Sequence, residues 1–316
     1  SNEAELNQML DKIDSYKVDF VKITEITLQG PLFLKSVVAA KKRGYLVSGH
    51  VPIDLPIGEL ANAGFSSIEH ASYILRLGSD EYSLVKKLEA GEITRSQLDQ
   101  LYFKNFDQAK AIEGYKMLAE KKVAVTPTLI GGKQLAYLDV NDHKQDDFLK
   151  YLTKRFISNY QWRIGRMANE TAVQKQERKD KYQLIASQVP LLQKAGVMIL
   201  AGSDAAALNT FVYPAASLIE ELELFQQAGM KPLNILQSAT MNGALFMKKY
   251  ESVGSIAVGK KADLILLPEN PLKNISAVRN IGALVHKGKY YSKNELMEFL
   301  GHAKKTKEAL DAARNE

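Results

Sequence analysis

Along this chain, short runs rich in apolar residues alternate with longer stretches in which apolar residues recur every three or four positions. The short runs are VDFV at 18–21, YLV at 45–47, FSSI at 65–68, VAV at 123–125 and VMIL at 197–200. Brief continuous runs bounded by turn residues are the pattern of strands buried on both faces, and the periodic stretches are that of amphipathic helices. The alternation predicts an α/β fold with a parallel sheet and crossover helices. Strands are expected over Val18–Thr24, Tyr45–Gly49, Phe65–Glu69, Lys122–Thr126, where Pro127 ends the run, and Val197–Ala201. Helices are expected over residues 3–16, from Pro31 to the stop at Gly44, around Glu59–Ala63, and through SLIEELELFQQAG to Gly229. A closed barrel of this type has more strands than these five, so either strands are missing from this chain or the architecture differs.

Two segments turn helical for longer than a crossover needs. In 78–121, Thr94 and Gln97 have capping-box spacing, and 144–194 has a polar, mixed-charge middle. Both read as insertions, and on the loop side of a barrel they would form a lid. From Gly254 the character changes to short strands with turns between them, and Ser292 with Glu295 caps a last helix. The expected organisation is thus 1–253 as one α/β domain, 254–292 as a small β module and 293–316 as a helix.

Composition narrows the function classes. The 316 residues, 46% hydrophobic, can bury a large core, and the apolar runs are far shorter than the ~20 residues of a membrane span. The net charge of +6 is spread among interleaved acids and bases instead of gathered in a stripe, which argues against a nucleic-acid or membrane partner. Absent cysteine excludes disulfides and thiolate ligands, leaving His, carboxylate and modified lysine as possible metal donors. The first residues show no secretory signal pattern and read as the middle of a domain, so the compartment of this soluble chain stays open between cytoplasm and periplasm.

Four polar residues close apolar runs: Lys22, His50, His70 and Asp204. An ordered Lys, His, His, Asp set at strand ends suits a metal site at the mouth of a β/α barrel. Each also has a plainer reading. Lys22 can be a strand-end lysine reaching solvent, and His50 a hydrogen-bonded structural residue. His70 can satisfy a backbone carbonyl, and Asp204 can cap a helix. Neutral imidazoles suit zinc or a similar ion, and a carboxylate beside the ion could carry the proton. Lysine can join only if deprotonated or converted to its carbamate. His143, His286 and His302 are expected at the surface, and Leu218, Leu222 and Phe225 in the core.

The series VDFVKI, GH after a strand, SSIEHA, VAVTPTL, AGSDA, EELELFQQAGM, SATMNGALFM, VGSIAVGKKADLILLPENPL and VHKGK resembles the amidohydrolase superfamily, nearest its imidazolonepropionase-like and Xaa-Pro dipeptidase-like branch. The resemblance runs from Asp19 to the end of the β tail. It implies a (β/α)8 TIM-barrel-type metal-dependent hydrolase, represented by barrel strands four to eight and the C-terminal part of a small β-sandwich. Lys22 would be a carboxylated lysine bridging two metals, His50 and His70 ligands of the second, and Asp204 a ligand of the first that shuttles the proton. The cofactor would be one or two divalent ions, zinc foremost. Thr126 and Thr128 would shape the substrate pocket, with Arg76 or Arg163 holding a substrate carboxylate.

The reaction implied is hydrolysis of amide, cyclic amide or dipeptide C–N bonds through a metal-activated hydroxide. The family's His-x-His pair at the first barrel strand does not occur in this sequence. A truncated form, inactive or incomplete alone, is therefore expected, with the missing N-terminal segment or a second copy of the chain as partner. The alternative is a metal-free barrel fragment with a structural or oligomerisation role.

Overall fold

The computed structural model describes residues 2–24, 28–206 and 208–313; the last three residues of the expected C-terminal helix lie outside them. The chain forms two compact units, Ser1–Pro127 with Ser187–Leu200, and Thr128–Ala186 with Ala201–Glu316.

In the first unit the alternation appears as α1 (Glu3–Tyr16), β1 (Phe20–Ile23), α2 (Gly30–Lys42), β2 (Leu46–Gly49), α3 (Ile57–Asn62), β3 (Ser67–Glu69), α4 (Glu81–Glu89), α5 (Arg95–Lys104), α6 (Gln108–Glu120) and β4 (Ala124–Thr126). Helix ends follow the local chemistry. Asn2 caps α1 by accepting from the Glu5 amide, Pro31 opens α2, Asp80 and Asp107 cap α4 and α6, and Thr94 with Gln97 forms a complete capping box on α5. Arg43, just past α2, reaches Asp11 and Asp14 of α1 with its Nη1 at 2.8 and 2.6 Å.

The four strands run parallel in the order β1-β2-β3-β4. The expected strand at 197–201 is reduced to a bridge, Val125 with Ile199, held by Val125 N–H to Met198 O at 3.0 Å and Leu200 N–H to Val125 O at 2.9 Å. Register divides the sheet's faces cleanly. Ile23, Gly49, Ile68, Val125 and Ile199 share one row and all are buried. The next row, Lys22, Ser48, Ser67 and Ala124, points the other way, because side chains alternate along a strand. Glu69 and Thr126 continue that face, and the Ser67 hydroxyl donates to Glu69 Oε1 at 3.1 Å. One face of the sheet is therefore hydrocarbon and the other polar.

The second unit opens with α7 (Leu129–Ala136), and α8 (Lys154–Ser158), α9 (Gln161–Met167) and α10 (Ala172–Lys194, of which residues from 187 belong to the first unit) break up the segment 144–194 read as a helical insertion. Then come α11 (Ala216–Gln227), α12 (Pro232–Ser238) and α13 (Met241–Phe246). The tail is a three-stranded antiparallel sheet, β5 (Leu264–Leu266), β6 (Ala283–His286) and β7 (Lys289–Ser292), followed by α14 (Lys293–Ala312) with its Ser292–Glu295 capping box. Tyr160, Phe211, Tyr213 and Ala216 form a buried cluster. Leu222 and Phe225 are buried as expected, but Leu218, in the first turn of α11, is 37% exposed. Among the described residues no helix is long and apolar enough to cross a membrane.

Gly49 is the tightest point of the first unit. Its φ of +154° and a Cβ placed 1.9 Å from the Ile23 carbonyl oxygen leave room only for hydrogen. Gly49→Ala is expected to lower unfolding free energy by about 3 kcal/mol, or to prevent folding, as read from urea unfolding. An unchanged midpoint would mean that the β1–β2 contact tolerates a methyl group.

Candidate active site

His50 and His70 follow β2 and β3 directly. The His50 amide extends the β1–β2 ladder by donating to Ile23 O at 3.1 Å, and the His70 amide donates to Thr126 O at 2.9 Å. Alternation carries His50 to the polar face with Ser48. It would send His70 away from Glu69's side, but His70 adopts φ +76° and ψ +116°, uncommon for a residue with a Cβ. Its ring lies edge-on to His50 with centroids 4.8 Å apart, and the two Nε2 atoms are 3.0 Å apart. Tyr73 stands beside both rings at 6.0 and 6.4 Å.

Two imidazole nitrogens facing each other can share one proton in a hydrogen bond, or both can turn their lone pairs on a cation. The 3.0 Å separation is close to the ~3.3 Å N···N edge of a tetrahedron with Zn–N of about 2.0–2.1 Å. The donor set thus fits two corners of a metal site. Among the described residues, no group of three or more His, Asp or Glu side chains is gathered closely enough to hold an ion.

Lys22 is the penultimate residue of β1, in register with Ser48 on β2, and it is exposed. It also lines an apolar cleft of about 420 Å³ beneath α1, with Leu6, Leu10 and Leu32 among its walls.

Asp204 belongs to the second unit. It is not a helix cap, because α11 begins only at Ala216. Its backbone is left-handed, φ +55°, and the Asn209 amide group donates to Asp204 Oδ2 at 2.6 Å and to its carbonyl oxygen. Arg163 Nη2 donates to Asn209 Oδ1 at 2.7 Å, so Arg163 acts on Asp204 through Asn209. Burial lowers the Arg163 guanidinium below its ordinary value, partly offset by the Asp204 charge.

Arg76, expected to hold a substrate carboxylate, is committed elsewhere. It is 4% exposed, its Nε lies 2.6 Å from Glu81 Oε1, and its Nη atoms donate to the Pro52 and Leu55 carbonyls at 2.9 and 2.6 Å. Glu81 also accepts from the Ile57 amide at 2.9 Å, and burial pushes its carboxyl up against the pull of Arg76. The pair fixes the loop that leaves His50. Thr126 ends β4 with its hydroxyl 3.5 Å from Ser67 Oγ, and Thr128 is buried with φ +50°.

Sequence reasoning missed Glu221. It is fully buried on α11, and its two oxygens accept the Leu129 and Ile130 amides at 2.8 and 2.7 Å at the start of α7. The signal was available: Glu221 falls on the same helical stripe as Ser217, Leu224 and Phe225. His143 also differs from expectation. It lies in a loop, 5% exposed, stacked on Phe211 at 4.4 Å with Nδ1 2.7 Å from Asp146 Oδ2, because the loop folds inward over that aromatic ring.

The profile of the Amidohydrolase family matches residues 21–290, and the chain belongs to that family. Its parallel sheet with covering helices is the α/β arrangement of a TIM-barrel-type hydrolase. Ochratoxinase of Aspergillus niger is 34% identical over 95 residues, covering 29% of this chain and 18% of the relative. A solved Xaa-Pro dipeptidase with methionine in its active site is similar with a TM-score of 0.59 at 19% identity, covering 92% of this chain and 59% of that one. A bottromycin amidohydrolase gives a TM-score of 0.70 at 16% identity, covering 97% and 63%. At such identities the structural likeness shows the fold. The chain spans less than two thirds of the length of each of these relatives.

Burial pushes the Glu221 carboxyl up to about 8, against the pull of the Leu129 and Ile130 amides. The folded state then binds a proton that the unfolded chain, near pH 4.3, has released. This group's contribution to stability is therefore greatest below about pH 4, falls as pH rises to about 8, and is flat above. The difference in unfolding free energy between wild type and Glu221→Gln is expected to shrink over that window in urea titrations from pH 5 to pH 9. A pH-independent difference would remove Glu221 as its source.

Proposed function

We propose that the chain carries the metal-binding half of an amidohydrolase active site that hydrolyses C–N bonds of amides, cyclic amides or dipeptides. The observation that carries this reading is the 3.0 Å approach of His50 Nε2 to His70 Nε2 at the ends of adjacent strands. In it the parallel sheet corresponds to strands four to eight of a (β/α)8 barrel, the tail sheet to part of a composite sandwich, and the domains to 1–253, 254–292 and 293–316.

His50 and His70 would hold a divalent ion, zinc foremost, through their Nε2 atoms, with Lys22 as its carbamate and Asp204 completing the set. The ion, when bound, supplies Lewis acidity: it makes water a nucleophile near neutral pH and polarises the scissile carbonyl. Asp204, steadied by Asn209, would take the proton of the attacking water and deliver it to the departing amine nitrogen. Thr126 and Thr128 would shape the substrate pocket, and Arg163 would act through Asn209 instead of on the substrate. Membership of the family and the names of its relatives, a dipeptidase and a bottromycin amidohydrolase, support the bond type.

One feature favours a second reading, a structural or oligomerising fragment. β1 is an edge strand with Phe20 exposed, a surface on which a further strand or a second copy could pair.

Zinc titration followed by elemental analysis separates the two. His50→Ala and His70→Ala are each expected to weaken zinc binding by at least about 10-fold with little change in thermal midpoint. Equal zinc uptake by the wild type and the double variant would end the metal reading.

A further inference from the structure

The second unit holds a cleft of about 360 Å³ that involves none of Lys22, His50, His70 or Asp204. It lies between α7, the 141–148 loop and α11, and its volume suits a small molecule. Four carboxylates line it, Asp146, Asp147, Glu220 and Glu223, against only two cations, Lys133 and Arg279. Arg279 is spent on Glu223: its Nε and Nη2 donate to both carboxylate oxygens at 2.5 Å. Asp147 is paired with Lys150 at 3.5 Å and Asp146 is hydrogen-bonded within the wall, which leaves Glu220, acted on by the charges of Arg279 and Lys133 without an ion pair of its own.

Asp146 organises the wall. Its Oδ2 accepts from the Tyr213 hydroxyl and lies against His143 Nδ1, both at 2.7 Å. The carboxylate only accepts, so in this contact Nδ1 carries the proton. Phe148 stacks on Tyr213 at 5.7 Å, and Tyr137 adds a third aromatic side chain to the lining. Burial, reinforced by the charges of Asp146 and Glu223, raises the Glu220 carboxyl despite Arg279 and Lys133. Such a group gains most from a positive charge placed beside it.

We propose that this cleft binds a small organic cation, a primary ammonium on an aromatic or alkyl body. The ammonium would sit between Glu220 and Asp146, and its hydrocarbon would pack against Phe148 and Tyr137. An anion is disfavoured by the excess of carboxylates. A bare metal ion is disfavoured because no three His, Asp or Glu side chains among the described residues are grouped to hold one.

Calorimetric titration of the 316-residue chain at neutral pH with phenethylammonium chloride, phenethyl alcohol and phenylacetate tests this. Saturable binding of the ammonium alone is expected, weakened about tenfold by Glu220→Gln and about fivefold by Phe148→Ala, in variants whose circular dichroism matches wild type. No saturable binding, alcohol bound as tightly as ammonium, or full affinity in Glu220→Gln would each overturn it. Should Glu220→Gln fail to fold, the ammonium-to-alcohol comparison on the wild type decides. The titration uses no divalent ion and no turnover, so its result is independent of the hydrolase reading.

Discussion

Ile23 O and Gly49 meet so closely that no side chain fits between β1 and β2, and from that contact follows the placement of the histidine pair. The absent Cβ lets the ladder run one residue further, and the His50 amide closes it on the same carbonyl. The main chain at His50 is thereby fixed by the ladder, and its ring meets those of His70 and Tyr73. His70 reaches the same point by breaking alternation, with a positive φ that the flanking bonds from His70 and Ala71 to Thr126 O and Pro127 O hold in place. Strain of about 1–3 kcal/mol at such a residue persists only where the surroundings over-determine it.

Much of this was legible beforehand because it depends on neighbours in sequence. The capping boxes at Thr94 and Ser292, Pro31 at the start of α2, and the strand-end positions of His50 and His70 are local patterns, and each stands where local physics places it. What was illegible depends on distant partners. Arg76 looks like any loop-side arginine until Glu81 and the 52–55 carbonyls surround it. His143 sits in a polar stretch, and nothing local tells that Phe211 and Asp146 will enclose it. The strand expected at 197–201 has the right composition, yet only Ile199 pairs, since strand length is set by how far the partner continues.

Buried polar groups in both units share one task. Arg76 with Glu81 satisfies carbonyls and an amide of the 51–57 loop, and Glu221 takes two amides opening α7. Each stands beside backbone that has just left a strand and has no helical or sheet partner of its own, where an unpaired amide or carbonyl costs about 1–3 kcal/mol when buried.

The choice of charged residues for this task needs a reason beyond stability. Desolvating a guanidinium and a carboxylate consumes most of what their attraction returns, and hydrocarbon of equal volume often serves stability as well or better. Hydrocarbon cannot donate to carbonyls 52 and 55, however, nor accept from amides 129 and 130. A fork of donors or a pair of acceptor oxygens pins several main-chain atoms at once and in one geometry. The loop after His50 and the start of α7 are thereby given single conformations, which a site needing tolerances of about 0.5 Å requires more than it requires extra stability.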